Sequence, residues 1–459
     1  MRKRGFIRKS DSYHMTQWKM IPPGTEHMHS FFESRGGRFP ATTFFGLQYT
    51  LKEHFVGQVV TEEDIEISDE KFAKHFKRRD VFNRAGWTYI LKEYGGRVPL
   101  RIKAVLEGTT VPTHNVLFTV ENTDRRVPWL TDHAETILSH PWDPMTTATN
   151  SLNARATILK YLEETGTPEL IEHKLVDFGY RGECCDEAAG IGGAGVLLAT
   201  RATDNWAALE LIDDYYGGDV EGDSIPASQH SIMTCRGLDG EGDAVEQILD
   251  AYPDGLVSIV GDSYDIYAFC RDILGKRFKM KIMVRDGVVI VRPDSGYPVK
   301  MVLEVLNILG EAFGFSVNEK GYRVLDPHVR VLQGDGIDLE MIEKILAAMK
   351  ENGWSTDNII FGSGGGLLRK FDRDTQKCKI ACSAICINGV WRNVIKNPIT
   401  DPGKRSKAGR LQLMHDSDGY KTVREGTGKG ADQLVQIFEN GDLIVDQMFS
   451  EIKARAHAA

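Results

Sequence analysis

Apolar residues recur at helical spacing in several stretches of this chain. MVLEVLNILGEAFG, from Met301, keeps them three and four positions apart, as the buried stripe of a helix requires. LEMIEKILAAMKENGW, from Leu339, does the same, and Gly353 stands where a helix would stop. ARATILKYLEETG runs to Gly166 with a similar stop signal. Upstream, residues 44–60 and 102–120 mix helix-like and strand-like patterns, which predicts a mixed α/β layer for the first third.

The middle of the chain has a different rhythm. From about residue 175, short apolar runs each end in a polar or glycine-rich cluster: KLVDFGYRG, GVLLATRATD, IPASQHS, LVSIVGDSYD, VVIVRPDSG, VRVLQGDGID and NIIFGSGGG. Most are separated by enough residues for a crossover helix. Such runs predict parallel strands buried on both faces. The pattern suits a barrel-like α/β domain with reactive residues on loops at the strands' C-terminal ends. An open doubly wound sheet shows the same alternation, because pattern alone does not reveal closure.

The last run gives the glycines a purpose. Gly362, Gly364, Gly365 and Gly366 follow the strand NIIF, and ordering glycine costs more backbone entropy than ordering any other residue. A tight turn explains one of them. Several together suit a nest of converging amides that cradles an anion, as late loops of this architecture do. No Gly-Lys-Ser/Thr follows, so the motif is not a P-loop.

The other loops add charge. FGYRG contributes Phe178 and Arg181, a ring-stacking surface beside an anion clamp. IPASQHS contributes His230 at an expected strand end. Asp262 and Asp265, Arg292 and Asp294, and Asp335 come from the next three loops. Any single aspartate could be a helix cap. Aimed at one mouth, these groups suit transfer of a sugar phosphate with diphosphate leaving: carboxylates hold ribose hydroxyls or Mg2+, and arginines neutralise the leaving group.

Composition narrows the alternatives. At 459 residues the chain is expected to form two domains, and 41% hydrophobic with 26% charged residues is ordinary for a globular protein. A net charge of -9, from 56 basic and 65 acidic residues, argues against nucleic acid as the main partner. The basic start MRKRGFIRKSDSY lacks the apolar stretch of a secretory signal. The weakly polar run over residues 188–200 is too short to span a bilayer, so no membrane role is expected. Seven cysteines suit a reducing cytoplasm better than a disulfide framework. Cys378, Cys382 and Cys386 lie on a strand-like stretch where period two puts them on one buried face. No nearby His or CxxC completes a ligand set, so no protein-held metal is expected.

Taken together, the motifs resemble the nicotinamide phosphoribosyltransferase family over nearly the whole chain. The likeness begins at the DSY of residues 11–13 and continues through FFGLQY, VLFTVENTD and DFGYRG. It is densest from VGDSYDIY to DPGKRSKAGRL. It implies a pentosyltransferase of NAD salvage that joins nicotinamide to 5-phosphoribosyl 1-diphosphate, releasing nicotinamide mononucleotide and diphosphate. It also implies the type II phosphoribosyltransferase fold: an irregular α/β, TIM-like barrel over residues 171–394, beside an α/β sandwich built from residues 1–170 and 395–459. The family works as a homodimer with shared active sites.

The resemblance also implies residue roles. Phe178 and a partner subunit's Tyr13 would sandwich the pyridine ring, and Asp204 would accept from the carboxamide. Arg181, His230 and Arg292 would contact diphosphate. His230 would also be a phosphorylated histidine coupling ATP hydrolysis, oriented by Asp262. Arg292, Asp294, Gly334 and Asp335 would hold the ribosyl part. Gly364, Gly365 and Arg373 would hold the 5′-phosphate, with Lys396 and Lys404 near the phosphates, and Mg2+ would arrive with the diphosphate. Lys379 and Ala381 stand where the family has serine and lysine. Gln229 stands where Glu is common, and His14 where Lys is usual. Ala381 leaves room for a larger donor, so one alternative is an ADP-ribosyltransferase that uses ADP-ribose 1-diphosphate to make NAD directly. Another is a non-catalytic nucleotide-binding protein on the same scaffold.

Overall fold

The computed structural model describes residues 5–401 and 404–458. The chain divides into two compact units. One comprises Met1–Thr149, Asp213–Gly218 and Phe371–Ala459; the other comprises Asn150–Ile212 and Asp219–Lys370.

The first unit is built on a seven-stranded sheet. Its order is Val390–Asn393, Cys378–Ile387, Thr25–Ser34, Val116–Asn122, Leu100–Ala104, Val435–Glu439 and Asp442–Leu443, so strands from both chain ends share one layer. Every pairing is antiparallel. One face packs on a core that includes Phe32, Phe118, Trp87 and Phe438. The expected strand at the three cysteines is present. Cys378 and Cys386 are buried, and a register shift opposite His29 and Ser30 leaves Cys382 half-buried.

The second unit is the barrel. Its strands are β1 (Leu175–Asp177), β2 (Ala202–Thr203), β3 (Asp254–Val260), β4 (Asp286–Arg292), β5 (Val329–Gln333) and β6 (Ile359–Ser363). They lie in the order β2-β1-β6-β5-β4-β3, all parallel. Val257, Ile259, Val289, Val291, Val329 and Val331 are 0–1% exposed on one face, and Ser258, Ile290 and Leu332 are 2–3% exposed on the other, as strands covered on both faces require.

The IPASQHS run does not form a strand. Pro226 has no N–H to donate, and the segment makes only isolated bridges: Ala202 to Asp223, and Ala227 to Ser258. Those two bridges nonetheless connect β2 to β3 through residues 223–227. They decide for a barrel over an open sheet. The GVLLA run also differs from expectation: Asp186–Leu197 is helical, and only Ala202 and Thr203 are extended. Its small residues, Gly190, Gly192, Gly193 and Ala194, are all buried, so the helix packs close to its neighbours.

The clearest periodic segments are helices. Pro298–Phe313 starts with proline at its first position and ends at Gly314, φ +90°. Leu339–Glu351 is capped by Asp338, whose Oδ1 accepts from Met341 N at 3.0 Å. The helix ending before Gly166 is longer than expected, running over Trp142–Thr165. Among the described residues no helix is long and apolar enough to cross a membrane.

Candidate active site

Most site residues of the barrel sit at or just beyond strand C-termini. Phe178 follows β1, and its N–H donates to Ser363 O, the last residue of β6, at 2.9 Å. The ring lies against Gly362: a Cβ there would fall 2.2 Å from Phe178 Cε2. Arg181 projects from the exposed turn Tyr180–Gly182. Asp204 follows β2. Ser224 Oγ donates to its Oδ1 at 2.6 Å and does not engage Oδ2.

Arg292 ends β4, and its Nε is buried without a partner among the described residues. Gly334 lets the next loop approach: a Cβ there would sit 3.0 Å from Asp294 Oδ1 and 3.5 Å from Arg292 Cδ. Gln333 fixes the turn by donating from Nε2 to Asp335 O at 3.0 Å.

The glycine run divides by purpose. β6 takes in Gly362 and Ser363, and a short helical turn, Gly365–Leu368, begins directly after Gly364. Gly362 and Gly366 are dictated by packing: a Cβ on Gly366 would lie 2.1 Å from Ile337 O. Gly364 and Gly365 are not, since the nearest atoms to a Cβ there are 3.4 and 4.0 Å away. Gly365 is exposed and Gly364 half-buried, and the first amides of a helical turn have no intrahelical acceptor. Gly366→Ala is therefore expected to cost about 1–3 kcal/mol of stability by overpacking, read by urea unfolding. Gly365→Ala should leave the unfolding midpoint unchanged and raise the KM of the donor substrate. Equal destabilisation by both would remove the distinction.

One cavity of about 670 Å3 gathers Phe178, Arg181, Asp204, Arg292, Asp294, Gly334, Asp335, Gly364 and Gly365, with Tyr180 and Gly182 completing its wall. Phe178, Asp204 and Arg292 also border a narrower apolar slot of about 100 Å3, which enters the barrel between Val176, Ile225, Ile290 and Leu332. A flat ring fits such a slot, whereas phosphates fit the wider, charged one.

His230 and Asp262 stand beside this cavity rather than in its wall. His230 opens the helix His230–Thr234, and its Nε2 is 3.0 Å from Asp262 Oδ1. Asp262 is 4% exposed on its side chain, and its Oδ2 accepts from Asp294 N at 3.1 Å. The pair is thus joined to the ribosyl loop through one backbone bond. Asp265, by contrast, is a helix cap, accepting from Tyr267 N and Ala268 N.

Several residues of the site had no signal in the sequence. Ser224 orients Asp204. Asp177 and Asn205 brace the loops of Phe178 and Asp204 from below. Burial pushes the Asp177 carboxyl up to about 6, against the bonds from Asn205 and Gly179. Glu241 is 4% exposed, and its Oε1 has no partner among the described residues. Burial, then the charges of Asp265 and Asp262, push its carboxyl up to about 7. Each is found through a tertiary partner and not through a motif.

The remaining expected residues lie in the other unit. Tyr13 is 55% exposed, with its ring 4.2 Å from that of His14. Burial, then Arg35 and Lys396, hold the Lys379 ammonium below the usual lysine range. Burial and Asp132 push Glu135 up to about 7, opposed by Lys379 and Arg373. Arg373, Lys379 and Lys396 therefore share one electrostatic neighbourhood. Lys404 pairs with Asp401 at 3.1 Å, and Ala381 lies opposite Phe31 in the sheet.

Comparison with known proteins agrees with this geometry. A model of the nicotinate phosphoribosyltransferase (NAPRTase) family matches residues 173–441. A model of the nicotinamide phosphoribosyltransferase N-terminal domain matches residues 5–102. A nicotinamide phosphoribosyltransferase of Xanthomonas campestris pv. campestris is 42% identical over 461 residues, covering 98% of this chain and 97% of the relative. The chain belongs to the nicotinamide phosphoribosyltransferase family. A second member, from Acinetobacter baylyi, is 30% identical and covers 97% and 95% of the two chains.

Solved structures support the family's fold. Nicotinate-nucleotide pyrophosphorylase from Pyrococcus furiosus aligns with a TM-score of 0.59 at 13% identity, covering 99% of this chain and 95% of that one. Human nicotinic acid phosphoribosyltransferase aligns at 0.57 and 14%, covering 98% and 93%. Both share this chain's fold, a parallel barrel and an antiparallel sheet of N- and C-terminal strands.

Proposed function

We propose that this chain transfers the 5-phosphoribosyl group of 5-phosphoribosyl 1-diphosphate to nicotinamide, giving nicotinamide mononucleotide and diphosphate. The observation that carries the reading is the single cavity shared by the ring-binding, ribosyl and glycine-loop residues. The pyridine nitrogen has no proton to lose, so its attack on the anomeric carbon needs no general base. The catalytic task is positioning, with charge stabilisation of the leaving group. Phe178 stacks on the pyridine. Asp204 accepts the carboxamide N–H through the oxygen that Ser224 leaves open. Arg181, Arg292 and His230 meet the diphosphate, Asp294 and Asp335 the ribose hydroxyls, and the Gly364 and Gly365 amides the 5′-phosphate.

Mg2+ fits this donor set. Among the described residues no group of three or more His, Cys, Asp or Glu is placed to hold a metal. One or two carboxylates sharing the ion with phosphate oxygens is how Mg2+ is commonly held, and Asp294 and Asp335 are the carboxylates available. The ion supplies charge neutralisation on the diphosphate. ATP coupling through His230 is supported by the ring's position: Nε2 is tied to Asp262, and Nδ1 has no partner among the described residues. A homodimer is part of the reading, with Tyr13 of the partner subunit closing the pyridine site; its exposed ring supports this. Seven free thiols suit a cytoplasmic setting.

The test is to offer nicotinamide with 5-phosphoribosyl 1-diphosphate or with ADP-ribose 1-diphosphate and identify products by mass. Nicotinamide mononucleotide is expected from the first donor. NAD formed from the second alone would overturn the donor assignment. In the same assay Asp204→Asn should reduce the preference for nicotinamide over nicotinate by roughly tenfold to a hundredfold, as for loss of a hydrogen bond to a charged group worth about 1.5–3 kcal/mol. An unchanged preference would remove Asp204 from amide recognition.

A further inference from the structure

We propose that the buried Asp177–Asn205 pair is a positioning device for the nicotinamide slot, setting Phe178 and Asp204 relative to each other. The inference rests on the reading of that slot given above. It concerns two residues that do not line the cavity.

Asp177 is the last residue of β1 and is 0% exposed. Its three oxygens are all used, and each bond goes to a loop of the slot. Oδ1 accepts from Gly179 N at 2.7 Å, closing a turn around Phe178. Its backbone O accepts from Asp204 N at 3.0 Å. Oδ2 accepts from Asn205 Nδ2 at 3.0 Å, immediately after Asp204. Asn205 is also 0% exposed, and the same Nδ2 donates to Ala189 O at 2.9 Å. Phe178 and Asp204 are therefore each held by bonds at their own backbone and at the next residue.

The choice of residue types supports a positioning role. A buried carboxylate costs free energy that an apolar side chain at the same place would avoid. Asp177 also faces the negative charges of Asp204 and Glu183, which makes the cost larger. A carboxylate bonding two donors at fixed angles supplies what an apolar residue lacks, namely one geometry for both loops. Pyridine stacking and amide capture must happen together, so the distance between Phe178 and Asp204 governs affinity for the acceptor substrate. Apart from Arg181, the residues assigned to the donor substrate lie on other loops.

Asp177→Asn and Asn205→Ala provide the test, through steady-state kinetics and calorimetric titration of nicotinamide. Both variants are expected to raise the KM and Kd of nicotinamide at least tenfold while the KM of the donor stays within twofold. A purely structural role would lower kcat or the melting temperature and leave nicotinamide affinity as in the wild type; that result overturns the proposal. Should Asp177→Asn fail to fold, Asn205→Ala decides by the same split, because it leaves the Gly179 bond in place. A wild type that binds nicotinamide without turning it over refutes the proposed reaction but not the positioning role. A wild type that does not bind nicotinamide refutes both.

Discussion

Replacing Arg292 with alanine is expected to lower kcat/KM for the donor substrate by about a thousandfold, the effect typical of removing a preorganised charge from the leaving-group site. Among the described residues Arg292 is the one cation that borders both the wide cavity and the apolar slot. In the proposed reading it stands where the diphosphate, the ribose and the pyridine would meet. Its Nε is buried without a partner among the described residues, so the chain has not spent that donor on its own folding. A buried donor left open is unfavourable in the empty protein and favourable when an anion arrives, and it accelerates the reaction to the extent that its bond strengthens as charge grows on the departing diphosphate. Removing it should leave the unfolding midpoint unchanged or slightly raised. Arg292→Lys should recover only part of the loss, because an ammonium lacks the planar fork that spans two phosphate oxygens. A loss below tenfold for Arg292→Ala, measured at saturating nicotinamide, would place the leaving group elsewhere.

How far the sequence revealed this site depended on the kind of interaction involved. Phe178, Arg181, Arg292, Asp294 and Asp335 were legible because a parallel strand announces itself by an apolar run, and the residue after it must face the mouth. The glycines were legible as a cluster but not as individuals. Only the positions of Phe178 and Ile337 O show that Gly362 and Gly366 serve packing, while Gly364 and Gly365 remain open. Asp177, Asn205, Ser224 and Glu241 were not legible, because nothing local distinguishes a buried polar residue with a distant partner from a solvated one.

The fold shows the same division. Long amphipathic helices such as Pro298–Phe313 follow from their period. The GVLLA run was ambiguous, since a short apolar stretch reads equally as strand or buried helix. Closure of the barrel depends on two bridges at residues 223–227, beside a proline, and no periodicity marks them.

His230→Ala is expected to reduce turnover by about a hundredfold to a thousandfold with the fold retained, as for loss of a positioned proton-bearing group at the reacting phosphates. His230 is 47% exposed on its side chain, so its removal leaves no cavity. Asp262 loses a partner but keeps the bond from Asp294 N, which limits the destabilisation. Asp262→Asn tests the pairing from the other side. Asparagine can present its NH2 to Nε2, which puts the ring's proton on Nδ1 and reverses the hydrogen bond between the two side chains. Both single variants should therefore fall to similar activity. The double variant should be no slower than His230→Ala, because residues acting as one unit fail together. Multiplicative losses in the double variant would mean that Asp262 acts independently, through the Asp294 loop. In that case the 3.0 Å contact between the two side chains is a feature of the resting enzyme and not of the reaction.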